Sequence, residues 1–254
     1  EDAPMYAMER YRSIVERVRG KGRASVNDLA SHLDVAPETI RRDLSYLEKQ
    51  GLVQRVHGGA IPVWLEPSVD LKNSIQQAEK LRIAKAAIEF IPENGTLILD
   101  AGTTTAQIIG LIPSKAKLRV ITNSPDHAVA LMEKENCEIL MAGGRVRKAT
   151  RACVDHWAVD TFSGIVADLA IVATNGISIA RGLTTPEPAE AAVKVAMIQA
   201  AKQKIVVADY TKFTQDHFAK FGEIKDMDVI ITDDGIDKGA LAQFESSGVK
   251  VVRA

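Results

Sequence analysis

Residues 36–50 read Ala36-Pro37-Glu38-Thr39-Ile40-Arg41-Arg42-Asp43-Leu44-Ser45-Tyr46-Leu47-Glu48-Lys49-Gln50, and the segments on either side make sense around this stretch. Wound as a helix with Ile40 at zero, it places Leu44 near 40° and Leu47 near 340°, a narrow apolar seam. Arg42, Lys49, Ser45 and Glu38 fall between about 140° and 200°, with Arg41 and Tyr46 on the flanks. One face can dock on a core while the other presents guanidinium, ammonium and hydroxyl groups. A DNA major groove accepts such a helix. An ordinary solvated amphipathic helix has the same local pattern, so the neighbouring segments must separate the two.

Upstream, Met8, Tyr11, Ile14, Val15 and Val18 recur at helical spacing and stop at Gly20-Lys21-Gly22. Ser25-Val26-Asn27-Asp28 has the form of a capping box that opens a short second helix with Val26, Leu29, Ala30 and Leu33 on one side. Asp34-Val35-Ala36 is a tight connector, and Pro37 suits the first turn of the third helix, although Ala36 offers no capping side chain. Two short helices so joined, the second carrying outward Arg and Lys, predict a helix-turn-helix. Gly51 is expected to stop the third helix, residues 52–56 to form a strand and His57-Gly58-Gly59 a turn. A strand bearing Arg55 suits a wing lying on the phosphate backbone. Asp43, near 300°, faces the seam. It is expected to orient an arginine rather than meet DNA, where its charge would repel phosphate.

The chain of 254 residues is 46% hydrophobic and 26% charged, with room for two domains and no apolar run long enough to span a membrane. Residues 1–4 read as a leftover preceding a native start at Met5. Two cysteines and five scattered histidines predict neither a disulfide framework nor a metal site, and a reducing cytoplasm is the default; no cofactor is called for. The net charge of −1 conceals a gradient: residues 5–60 carry +3 and residues 61–254 carry −2. A basic head on a mildly acidic body is compatible with a nucleic-acid reader. Residues 61–74, with two prolines and Trp64, break both periodicities and read as a short, stiff linker in which Trp64 is most simply packing.

From residue 75 a helix over 75–91 is expected, its Lys80 and Lys85 most simply solvated. Apolar runs at 96–99, 118–121, 138–141, 169–173, 204–208, 229–231 and 250–252 then alternate with helical segments at 104–111, 125–133, 154–163, 189–201 and 238–247. This alternation predicts an α/β domain with a mostly parallel sheet. Ligands in such sheets bind beyond the carboxyl ends of the strands. Asp100-Ala101-Gly102-Thr103-Thr104-Thr105 runs there from a strand into a helix, where hydroxyls and helix N–H groups can hold an anion; N-capping by Thr103 is the alternative. It is neither a P-loop nor a dinucleotide fingerprint. Thr122-Asn123-Ser124, Gly143-Gly144-Arg145, Thr174-Asn175-Gly176 and Asp209-Tyr210-Thr211-Lys212 occupy further strand ends. Lys212 can balance a phosphate or be solvated, and Arg145, Arg147, Lys148 and Arg151 read most simply as a solvated loop. Glu190 and Lys194, four apart, most simply form a surface ion pair.

Residues 37–44 together with Leu47, Gly51 and Arg55-Val56-His57-Gly58-Gly59-Ala60 resemble the DNA-binding signature of DeoR-type bacterial regulators. Asp100-Ala-Gly-Thr-Thr-Thr, Thr122-Asn-Ser, Gly143-Gly144, Asn175-Gly176, Gly182-Leu-Thr-Thr, Glu190 to Lys194 and Asp209 to Lys212 resemble that family's effector domain, in order. One place departs, Ala152-Cys153-Val154-Asp155, where the family usually has Val-Gly. The resemblance implies a winged helix-turn-helix domain (5–60), a linker (61–74) and an α/β effector-binding and oligomerisation domain related to ribose-5-phosphate isomerase (75–254). It implies DNA contacts from Glu38, Thr39, Arg41, Arg42, Ser45, Tyr46, Lys49, Arg55 and His57. It implies effector contacts from Asp100, Gly102, Thr103, Thr104, Thr105, Thr122, Asn123, Ser124, Gly143, Gly144, Arg145, Asn175, Gly176, Glu190, Lys194, Asp209 and Lys212. The expected partners are double-stranded operator DNA, a phosphorylated sugar and further copies of the chain in a dimer or tetramer. The expected function is a regulator, a repressor of carbohydrate-utilisation genes. The rival is a phosphosugar isomerase or deaminase with an accessory DNA-binding head, using Asp100, Glu190 and Lys194 as acid–base groups; a ligand-free scaffold leaves the polar strand ends without a purpose.

Overall fold

A computed structural model of the chain describes residues 7–50, 52–62, 66 and 69–254, and falls into two units, Glu1–Ile75 and Gln76–Ala254. Met5, Gly51 and Trp64, each given a role above, lie outside the described residues.

The first unit is built on the seam. Ile40, Leu44 and Leu47 of helix α3 (Pro37–Lys49) are buried against Ile14 and Val18 of α1 (Ala7–Lys21), Leu29 and Leu33 of α2 (Val26–Leu33), and Val53. β1 (Ala24–Ser25) runs straight into α2, where the Ser25 hydroxyl accepts from Asp28 N–H at 3.0 Å; Asp34 then ends α2 at φ +49°. Ala36 caps α3 without a side chain. β2 (Val53–Val56) and β3 (Gly59–Pro62) form a hairpin through His57-Gly58, with Gly58 at φ +76°, and β1 pairs with the far side of β3. A Cβ on Gly59 would lie 2.2 Å from the Ala24 carbonyl oxygen, so this close crossing admits no side chain. Two parts of the expected linker form regular elements. Ile61 and Pro62 pair with Gln54 and Val53 in the hairpin, and Val69–Ser74 forms helix α4.

In the second unit, the expected alternation produces a seven-stranded parallel sheet. Its elements are α5 (Gln77–Ile88), β4 (Asn94–Leu99), α6 (Thr103–Leu111), β5 (Lys117–Thr122), α7 (Pro125–Leu131) and β6 (Cys137–Met141). A hairpin of β7 (Arg145–Arg147) and β8 (Ala152–Val154) follows, then α8 (His156–Ser163) and β9 (Ala167–Ala173). After β10 (Gly176–Ser178) and β11 (Gly182–Thr185) come α9 (Pro188–Gln199), β12 (Ala201–Val207), β13 (Ala219–Gly222), β14 (Val229–Thr232), α10 (Lys238–Ser246) and β15 (Lys250–Arg253). The main sheet has the order β15-β14-β12-β9-β4-β5-β6. Alternate residues of each strand feed two cores. Ile98, Val172, Val206 and Ile230 pack with Phe162 and Met197 on one face; Leu97, Leu99, Ile171, Val207 and Ile231 pack with Ile83 and Ile108 on the other. Chain order reverses direction between β4 and β9, which makes their carboxyl ends the topological switch point.

Three expectations change. Residues 152–154 form β8, so the helix expected from 154 starts at His156. A small antiparallel sheet, β10-β11-β13, carries only three or four residues per strand, too few to show a period in the sequence. Lys80 is 4% exposed rather than solvated, whereas Lys85 is exposed.

Candidate functional sites

On α3 the outward side carries Glu38, Arg41, Arg42 and Lys49, all exposed, with Thr39 half-buried. Arg42 and Lys49 make no hydrogen bond or ion pair with another described residue, while Arg41 reaches back to Glu38 at 2.9 Å. Ser45 donates to the Arg41 carbonyl at 2.8 Å and accepts from the Arg55 guanidinium of β2 at 2.7 Å. Tyr46 is 41% exposed yet stacks on Tyr11, ring centroids 4.7 Å apart. His57 sits exposed at the hairpin tip. Asp43 lies buried on the seam side and binds Arg10 of α1 through two N–H donors. The arginine it orients therefore comes from another helix, thirty-three residues away, a partner that helical periodicity has no means of naming.

In the second unit, Gly102 and not Thr103 is the cap of α6; no side chain bonds there, and Thr103 is the first helical residue. The Thr103 and Thr104 hydroxyls make no hydrogen bond with another described residue. Thr105 instead turns inward, donating to the carbonyls of Asp100 (2.7 Å) and Gly102 (2.9 Å). A helix start left without a side-chain cap presents N–H donors and the positive end of its dipole. A Cβ at Gly102 would stand 3.1 Å from that of Ala173 and from the Thr105 hydroxyl, so a side chain here would crowd the junction of α6 with the end of β9.

Asp100, 1% exposed, accepts from Ala173 N–H at 2.9 Å and from the Lys194 ammonium of α9, which also donates to the Ala173 carbonyl at 2.9 Å and lies 5.4 Å from the Phe221 ring centre. Glu190, one turn earlier on α9, does not form the expected surface pair with Lys194. Both are buried, and Glu190 takes hydrogen bonds from Arg147 (3.1 Å), Thr150 and Thr185 (3.5 Å). Thr185 also donates to the Asn175 side chain at 3.0 Å. Arg147 and Thr150 thus belong to the switch point; the crowding of basic residues at 145–151 was their only trace in the sequence. Arg145 points elsewhere, into an exposed pair with Asp155 at 2.8 Å. Asp155 holds φ +76°, a conformation that favours glycine, at the place where the chain departs from the resembled pattern.

Asn123 closes the other side. Its side-chain oxygen accepts from Ala101 N–H (2.9 Å) and its amide donates to the Cys153 carbonyl (3.2 Å). The Thr122 hydroxyl accepts from Ser124 N–H at 3.1 Å, and Ser124 caps α7. A Cβ on Gly144 would meet the Val154 carbonyl at 2.3 Å and one on Gly176 the Gln215 carbonyl at 2.4 Å, while Gly143 has open space around it. Backbone crossings thus account for Gly144 and Gly176. Asp209 accepts from Thr211 N–H at 3.1 Å within its own turn, and half-buried Lys212 has no ion pair among the described residues.

His127, 4% exposed, places Nε2 3.1 Å from the Gly102 carbonyl; an oxygen can only accept, so Nε2 carries the proton, and buried Nδ1 has no partner among the described residues. Burial lowers its pKa to about 4, outweighing the hydrogen bond to Gly102. Between about pH 6.5 and 4 the unfolded chain binds a proton that the folded chain refuses, so stability falls on acidification, by about 3 kcal/mol in all. Urea unfolding across this range should show that loss, and His127→Gln, which keeps an N–H donor, should show less of it. Identical acid limbs for the two proteins would refute the assignment.

Two family models match the chain: the DeoR-like helix-turn-helix domain over residues 10–63 and the DeoR C terminal sensor domain over residues 75–234. The HTH-type transcriptional regulator GlpR of Haloferax volcanii is 37% identical, covering 98% of both chains. The glycerol-3-phosphate regulon repressor of Escherichia coli is 33% identical, covering 90% of this chain and 92% of its own. Among solved structures, ribose 5-phosphate isomerase A of Methanocaldococcus jannaschii aligns over 54% of this chain and 55% of its own, with 15% identity and a TM-score of 0.41. The full-length relatives are named as regulators rather than as enzymes, which decides against the isomerase reading. With both domain models matched in order, the chain belongs to the DeoR family of DNA-binding transcriptional regulators.

Proposed function

We propose that this regulator is a cytoplasmic repressor of carbohydrate-utilisation genes, released from operator DNA by a phosphorylated sugar held at the switch point. α3 lies in the major groove with Arg42 and Lys49 outermost, and the wing residues Arg55 and His57 follow the backbone. The observation that carries the sensing half is the start of α6: a glycine cap, two threonine hydroxyls and main-chain donors beyond the carboxyl end of a central strand. Such a start suits a phosphate. Lys212 adds a cation, and the Asp100–Lys194 and Glu190–Arg147 groups suit the hydroxyls of a sugar. The repressor name of the Escherichia coli relative supports the sign of regulation. Operator half-sites separated by roughly one helical turn (about 34 Å) would demand at least a homodimer, and a homotetramer meets the same need.

The test is a thermal-shift panel of pentose and hexose phosphates and glycerol 3-phosphate, with the unphosphorylated compounds alongside. One phosphate ester should raise Tm, by about 2.7 kcal/mol of stability at a hundred times its Kd, and its parent alcohol should not. Lys212→Ala should leave DNA affinity unchanged and raise the ester concentration needed for release about tenfold, as loss of one charged contact does. A panel without a response, or an equal response to the parent alcohol, would sink the reading.

A further inference from the structure

Glu48 is an exposed carboxylate at the end of a helix that presents cations to phosphates, a place where negative charge weakens binding. Its geometry supplies a reason for it. β2 is the edge of the order β1-β3-β2, so alternate N–H groups of β2 have no strand among the described residues to bond on that side. The Arg55 N–H is one of these, and it donates to Glu48 Oε1 at 2.9 Å. Three residues back on α3, Ser45 accepts from the Arg55 guanidinium at 2.7 Å and donates to the Arg41 carbonyl at 2.8 Å. One residue of the wing is therefore held to the recognition helix at both its backbone and its side chain.

We propose that Glu48 is a positioning residue that locks the wing to α3 and so sets the spacing between the groups that read bases and the groups that grip the backbone. The inference rests on the assignment of α3 and β2 as the DNA face. The lock works through an acceptor atom. The charge of Glu48 opposes DNA binding, and the hydrogen bond to Arg55 supports discrimination between sequences. A rigid spacing rewards only the duplex whose groove and phosphates fit both elements, whereas a loose wing can settle on any phosphate. Arg55 keeps N–H donors beyond the one given to Ser45, so the locked arginine can still meet a phosphate.

The experiment uses the full chain, a duplex enriched by the wild-type protein from a random-sequence library, and a shuffled duplex of equal composition. Glu48→Ala should lower the ratio of the two affinities about tenfold, comparable to one mismatched base pair, and Glu48→Gln, which retains an acceptor, should keep the ratio while binding both duplexes more tightly. In the protein without DNA, exchange of the Arg55 amide hydrogen should quicken about fivefold or more in Glu48→Ala and return towards wild type in Glu48→Gln. An unchanged Arg55 exchange in Glu48→Ala, or a Gln variant that loses as much discrimination as the Ala variant, overturns the lock. Arg42→Ala tests the face itself: if it leaves the enriched duplex fully bound, the assignment of the DNA face has failed, whatever Glu48 does to Arg55.

Discussion

Lys194→Met is expected to remove about 3–5 kcal/mol of stability, the usual consequence of stripping one member from a buried ion pair. The methionine keeps most of the aliphatic volume, so the loss is electrostatic rather than a cavity. Asp100 is 1% exposed, and without the ammonium its charge is left with the Ala173 N–H as its described side-chain contact. The same lysine holds the Ala173 carbonyl, so β9 and the turn entering α6 lose their common anchor. Urea unfolding measures the effect, and a double-mutant cycle separates its cause. Asp100→Asn combined with Lys194→Met should recover at least half of what the lysine substitution alone removes, because no unpaired charge remains. A single variant within 1 kcal/mol of wild type, or a double variant no better than the sum of both singles, would show that the pair does not act as a unit. The variant should also lose its response to a phosphate ester, since the Asp100 carbonyl holds Thr105 and through it the first turn of α6.

The second large effect belongs to the other unit. Asp43→Ala removes the buried carboxylate that accepts two charge-assisted hydrogen bonds from Arg10, and a loss of about 3 kcal/mol is expected. The described residues of the first unit form a small core around Ile14, Leu29, Ile40, Leu44 and their neighbours, so such a loss is a large share of what holds it folded. Hydrogen exchange localises the outcome. Amides of α1, α2 and α3 should exchange roughly 100-fold faster, while those of the seven-stranded sheet stay as they were. DNA binding should fall with the fraction of folded head, and the thermal response to a phosphate ester should survive. Acceleration spread evenly over the chain, or none, would contradict this division of labour. Asp43→Asn retains an acceptor for one of the two guanidinium donors and should fall between Ala and wild type.

Both predictions concern charged residues whose place was legible in the sequence and whose partners were not. The position of Asp43 near the seam follows from its angle around α3, and burial bears that out. Its bond to Arg10 does not follow, since α1 reaches α3 only after the whole head has closed. Glu190 and Lys194 show the same limit more sharply. Four residues apart on a helix, they suggested a surface pair, yet the helix turns both towards the sheet, where Arg147 and Asp100 claim them separately. His127 gave no signal, because one histidine among scattered others has no periodicity to betray its burial.

What the sequence determines by itself is the set of local preferences: the seam of α3, the Ser25 cap, the order of strands and helices that forces a parallel sheet, and the glycine and threonine strand ends. These depend on neighbours within a turn or a strand, and side-chain spacing reports them directly. Only the tertiary structure decides which charge meets which, that the loops after β4 and β9 meet at the switch point, and that Arg55 is held by Glu48 and Ser45. The physical reason is that burying a charge is tolerable only beside a partner, and that partner is supplied by segments many residues away, brought into reach when the sheet and the small head core assemble.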